Sequence, residues 1–177
     1  INRIRSSTQV HTSKDLFDCN VGVVTGDNDY FIVDEQIKSK YFLSAGKPIV
    51  TGTDFFEGII FSKDDYELQS RTKKAWLFLP SSTDESKLTA GESEYLQIGR
   101  ENKTPQGFKC RTRKCWFDVP ISWAPEAFFY RQVGTYPRIV INKTAALTTD
   151  TLHKIRFKPG VDPEVIACSM LNSFTFL

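Results

Sequence analysis

Short apolar runs separated by polar corners set the rhythm of this chain. Eight of them are "VGVVTG" (21–26), "DYFIVD" (29–34), "GIIFS" (58–62), "AWLFLP" (75–80), "CWFDVP" (115–120), "AFFYRQV" (127–133), "RIVINKT" (138–144) and "TLHKIRF" (151–157). All are rich in β-branched and aromatic residues and are bounded by Gly, Pro, Asp or Asn, which is strand-and-turn punctuation. Three other segments carry helical patterning. Residues 35–44 end at Gly46 and Pro48, a plausible helix stop. Residues 84–102 hold Tyr95, Leu96 and Ile98 among charged neighbours. Residues 162–172 begin with Asp162 as a cap and Pro163 in the first turn, followed by an apolar face of Val165, Ile166, Cys168, Met170 and Leu171. This pattern predicts an α+β fold, a mostly antiparallel sheet with a few short helices, and lacks the βαβ alternation of a parallel-sheet protein.

The stretch "NVGVVTGDNDYFIV" (20–33) poses the sharpest local question. A glycine-rich corner after a strand can cradle phosphate, but only where it opens a helix. Here the pattern runs from one strand into another, and no Lys-Ser or Lys-Thr follows Gly26. The expectation is a β-hairpin turn, with Gly22, Thr25, Gly26 and Asn28 serving backbone geometry and Phe31 and Val33 on a buried face.

Composition narrows the function classes. The chain has 177 residues, 40% hydrophobic and 25% charged, enough for a substantial core. No apolar run approaches the ~20 residues of a membrane span. Cys19, Cys110, Cys115 and Cys168 are irregularly spaced, and His11 and His153 stand alone, so zinc-site spacing is absent. Reduced cysteines suit a cytoplasmic protein. No GxSxG elbow occurs, and the acidic pair Asp64 and Asp65 reads as part of an exposed loop. The first residue, Ile1, and the apolar end "MLNSFTFL" suggest a piece of a longer protein.

The net charge of +2 conceals a strong internal separation. Residues 100–114 hold six basic residues against one acid, whereas residues 54–67 hold five acids against one lysine. Such separation gives either a directed electrostatic face or two solvated loops. In the basic run, an extended strand would put Lys109, Arg111, Arg113 and Cys115 on one face. That face could track phosphates or reach base edges, or be the polar outside of an edge strand. Arg100, Lys103 and Lys114 complete this group. Arg131, Arg138, Asn142 and Lys143 form a second group at strand ends. Arg71, Lys73 and Lys74 form a third, ahead of "AWLFL". Three basic clusters in one small chain make nucleic acid a reasonable partner.

"GVVTGDNDYFIV" also resembles the pattern G-[IV]-x-T-G-x-N-x-x-F-[IV]-[IV] of the target-recognition domains of adenine-N6 DNA methyltransferases from restriction–modification systems. The resemblance continues in order through "AWLFLP", "YLQIGRENKTPQGFKCRTRKCWFDVP", "PEAFFYRQVGTYPRIVINKTAALTTDTLHKI" and "VIACSMLNS", covering nearly the whole chain. The catalytic Asn/Asp-Pro-Pro-Tyr/Phe motif is missing, since the chain has no Pro-Pro, and so is the glycine-rich S-adenosylmethionine motif. The resemblance therefore implies that residues 1–177 are one target-recognition domain whose catalytic domain lies upstream. It implies no cofactor and no activity in this chain alone, with S-adenosylmethionine used by the parent enzyme. It further implies double-stranded DNA and the catalytic domain as partners, an endonuclease subunit as a third, and a bacterial or archaeal cytoplasm as the setting. The alternative is a protein-interaction domain that docks a methyltransferase or endonuclease subunit.

Overall fold

The computed structural model describes residues 11–132 and 137–171. Its elements in order are α1 (Ser13–Leu16), β1 (Phe17–Val21), α2 (Asn28–Phe31), β2 (Ile32–Val33), α3 (Glu35–Lys40), β3 (Lys47–Val50), β4 (Ile60–Phe61), α4 (Lys63–Thr72) and β5 (Trp76–Leu77). There follow α5 (Ala90–Glu101), α6 (Phe108–Arg111), β6 (Ala127–Tyr130), β7 (Ile139–Asn142), β8 (Leu147–Thr148), β9 (Leu152–Phe157) and α7 (Pro163–Ser169). Short 3-10 turns at Glu85–Lys87 and Thr104–Gln106 flank α5.

The class is α+β, as the pattern predicts, but the strands form two sheets. One has the order β1-β9-β6-β7-β4, the other β2-β5-β3-β8. Most pairings are antiparallel; β4 with β7 and β3 with β8 are parallel. The central strands of the five-stranded sheet are buried on both faces because apolar residues fill both sides of them, whereas edge strand β1 is mostly exposed. Ala127, Ile139, Ile141 and Ile155 pack on one side against Ala167 of α7. Phe128, Val140 and Leu152 pack on the other against Val50, Phe56 and Phe61. A third core surrounds the four-stranded sheet and α5, with Phe31, Val33, Leu43, Ile49, Leu77, Phe78, Leu96 and Phe117 inside it.

Several expectations are corrected. Residues 20–33 do not form a hairpin. β1 pairs with β9 and β2 with β5, and the corner between them holds the one-turn helix α2, capped by Asp27. Asn28 is therefore helical, while Gly26 does have positive φ, +88°. Residues 109–117 are not a strand; α6 and a run of turns replace it, so the one-face alternation of Lys109, Arg111, Arg113 and Cys115 does not exist. Nor do residues 115–120 form a strand. Asp64 and Asp65 are the first turn of α4, a helix that the apolar pattern did not reveal. Ser62 and Asp65 make a reciprocal capping box there. The predicted helices at 35–44 and 84–102 are present but shorter, and that at 162–172 is seen as Pro163–Ser169, with residue 172 outside the described residues.

Candidate nucleic-acid interface

The corner at residues 24–28 is a buckle on which a basic lobe is built. Thr25 Oγ1 donates to Asn28 Oδ1 at 2.5 Å and accepts from the Asp27 amide at 3.1 Å. Asp27 caps α2 by accepting from the Tyr30 amide, and its other oxygen accepts from Thr104 Oγ1 at 2.8 Å. Arg113 reaches back and donates to the carbonyls of Val24 (2.8 Å) and Thr25 (2.7 Å), with its guanidinium over the Phe31 ring. Gly26 lies so close to α6 that a Cβ there would meet the Lys109 Cβ at 2.9 Å. Cys110, fully buried beneath, has its thiol pushed up by burial.

α5 anchors the same buckle from the other side. The Tyr30 and Tyr95 rings stack at 4.9 Å, and each hydroxyl donates to the other residue's backbone carbonyl, at 3.0 and 2.7 Å. These reciprocal bonds satisfy two buried hydroxyls, which would otherwise carry a desolvation cost.

Of the thirteen residues that the sequence nominates for DNA contact, nine already have partners within the fold. Lys73 pairs with Asp54, Arg71 with Glu67 at 3.5 Å, and Lys74 donates to the Asp29 carbonyl at 2.6 Å. The acidic and basic runs of this region thus partly neutralise each other. Arg138 binds the carbonyls of Phe56, Glu57 and Gly58. Asn142 bonds Pro125 and Ala146 carbonyls and accepts from Thr144. Arg131 donates to the Asp150 carbonyl at 3.3 Å, and Lys143 lies 3.8 Å from Glu164. Arg100 pairs with Glu85 at 2.5 Å, and Arg113 is the strut already described.

The remaining four lie within residues 103–114. Lys103, Lys109, Arg111 and Lys114 are exposed, and none has a hydrogen bond or ion pair to a described residue through its charged group. Lys103 occupies a left-handed conformation (φ 61°) that turns the chain from α5 into the Thr104–Gln106 turn. Lys109 and Arg111 both pack on the ring of Phe108, at 5.7 and 5.5 Å. Phe108 itself is 64% exposed. Unpaired solvated cations around an exposed aromatic face can neutralise phosphates and stack on a base. Sequence reading passed over Phe108, although a lone aromatic inside "GFKCRTRK" is a usable signal.

No helix among the described residues is long and apolar enough to cross a membrane. No curated protein matches the chain significantly. The family model described as the C-terminal domain of the type II methyltransferase M.Eco57I matches residues 1–177. With the whole chain matched and an α+β fold of the expected class, this protein belongs to the family of C-terminal domains of M.Eco57I-type methyltransferases.

Proposed function

We propose that this chain is the DNA-recognition module of a site-specific adenine-N6 methyltransferase of a restriction–modification system. It would grip duplex DNA while an upstream catalytic domain, carrying S-adenosylmethionine, acts on the flipped adenine. The observation that carries the reading is a run of four exposed cations, Lys103, Lys109, Arg111 and Lys114, that no carboxylate among the described residues neutralises, with Lys109 and Arg111 packed on exposed Phe108. Membership of a methyltransferase family supports it. Phosphate contacts set affinity and register, and Phe108 supplies an apolar face for a base or sugar.

Duplex affinity measured against salt concentration tests this. The wild-type chain is expected to show a log–log slope of several units. The triple variant Lys109→Ala/Arg111→Ala/Lys114→Ala should reduce the slope by roughly three, at about 0.9 per phosphate contact, with little change in thermal midpoint. Arg113→Ala should instead lower thermal stability, because it removes a strut. Affinity that ignores salt, or a triple variant that binds like wild type, overturns the proposal.

A second reading, docking of a methyltransferase or endonuclease subunit, is favoured by one observation. Phe42 is 80% exposed and held at φ 52°, a costly placement for a bulky apolar side chain.

A further inference from the structure

β9 carries a second cationic feature, outside the lobe on α6. Alternation places Leu152, Lys154 and Arg156 on one face of the five-stranded sheet. Leu152 joins the Phe128 core, but Lys154 continues that face into a cleft of about 300 Å³ walled by Val21, Val24, Pro120 and Ile121. Lys154 is only 7% exposed. Its ammonium has one hydrogen-bond partner, Ser122 Oγ, and lies 4.4 Å from the centre of the Trp123 ring. Arg156 packs on the same ring at 4.6 Å.

The charge balance of this cluster is incomplete. No described carboxylate pairs with Lys154 or Arg156. Asp18 stands opposite Arg156 in the β1–β9 register, but its carboxylate is bonded to Lys158 at 2.6 Å. Asn20, opposite Lys154, is neutral. Burial, and then the Arg156 charge, lower the Lys154 ammonium from its ordinary value. Two cations on one aromatic ring, one of them buried and lacking a counter-ion, cost stability unless an anion joins them.

We infer that Lys154, Arg156, Ser122 and Trp123 form a phosphate-binding station, and that the phosphate is a backbone phosphodiester of the duplex. Only the source of the phosphate rests on the DNA-recognition reading. The station adjoins the basic lobe through one segment: Val21 to Val24 line its cleft, while Thr25 and Gly26 touch Arg113 and Lys109. One strand of backbone could therefore pass from α6 to Lys154.

The test uses the 177-residue chain with two probes, inorganic phosphate and a duplex. The Trp123 indole signal in a nitrogen–proton correlation spectrum, assigned with Trp123→Phe, reports on the station. Phosphate should shift this signal and raise the thermal midpoint, while chloride at equal ionic strength should not. Lys154→Met should abolish the shift yet fold with an equal or higher midpoint without phosphate, because an unpaired buried cation has gone. Arg156→Gln should weaken phosphate binding several-fold. In the duplex arm, Lys154→Met should reduce the salt slope by about one. If Lys154→Met still gives the phosphate-dependent shift, the station is overturned. If the wild type responds to phosphate but its duplex slope is unaffected by Lys154→Met, the duplex as source is overturned. If phosphate binds at Trp123 while no duplex binds at all, the station stands and the DNA reading fails.

Discussion

At the residue scale, Phe42 shows a position where local geometry and side chain disagree. α3 ends in a Schellman motif: the Phe42 amide donates to the Ser39 carbonyl and the Leu43 amide to that of Lys38. Its left-handed residue is usually Gly, and here it is Phe42. A left-handed L-residue costs about 1–2 kcal/mol, and Gly returns about 0.5–1 kcal/mol of that through its freer unfolded chain. Phe42→Gly should therefore raise stability by roughly 0.5–1 kcal/mol, read from the denaturant midpoint. A loss would mean that the ring contributes packing despite its exposure.

At the element scale, the start of α5 depends on Glu92. This residue is 1% exposed, and its carboxylate accepts from the amides and hydroxyls of both Thr89 and Ser81. Burial raises its pKa, but these four bonds together outweigh burial and hold it below the ordinary glutamate value. A lowered folded-state pKa contributes stability that is complete above the unfolded value and disappears as pH falls through the folded one. Glu92→Gln should cost about 1.5–3 kcal/mol at pH 7, and the deficit should shrink as pH falls below the ordinary carboxylate range. Urea midpoints of both proteins across that range check the sign. An equal deficit at every pH would show that the charge is not what matters.

At the scale of the whole molecule, the two sheets meet where β1 leaves one and the chain enters the other. The Gly22 amide donates to the Leu152 carbonyl of β9, and the next amide, Val23, donates to Thr148 of β8 at 2.6 Å. Gly22 passes so close that a Cβ would lie 2.1 Å from the Thr149 carbonyl oxygen. Two backbones must part to admit it, and neither is a flexible side-chain end. Gly22→Ala is expected to cost about 3 kcal/mol or more, which lowers the thermal midpoint by roughly 6–12 °C in a chain of this size. A midpoint within 2 °C of wild type, roughly 1 kcal/mol or less, would show that the seam is compliant.

The sequence by itself determined what depends on neighbours along the chain. The α+β class, the apolar strands at 127–130, 139–142 and 152–157, the Asp162–Pro163 helix start and the positive φ at Gly26 all follow from local periodicity and turn chemistry. The tertiary structure decided which charges remain free. Arg113 and Arg111 are two residues apart and read alike, but one is tied to carbonyls 88 and 89 residues away while the other stays in solvent. Lys154 and Trp123 are 31 residues apart, and no local pattern joins them. The physical reason is that a cation's role is set by which carbonyl, carboxylate or ring folding brings within about 4–6 Å of it. A pattern with periods of 2 and 3.6 residues records which side faces a core, and contains nothing about that distant partner.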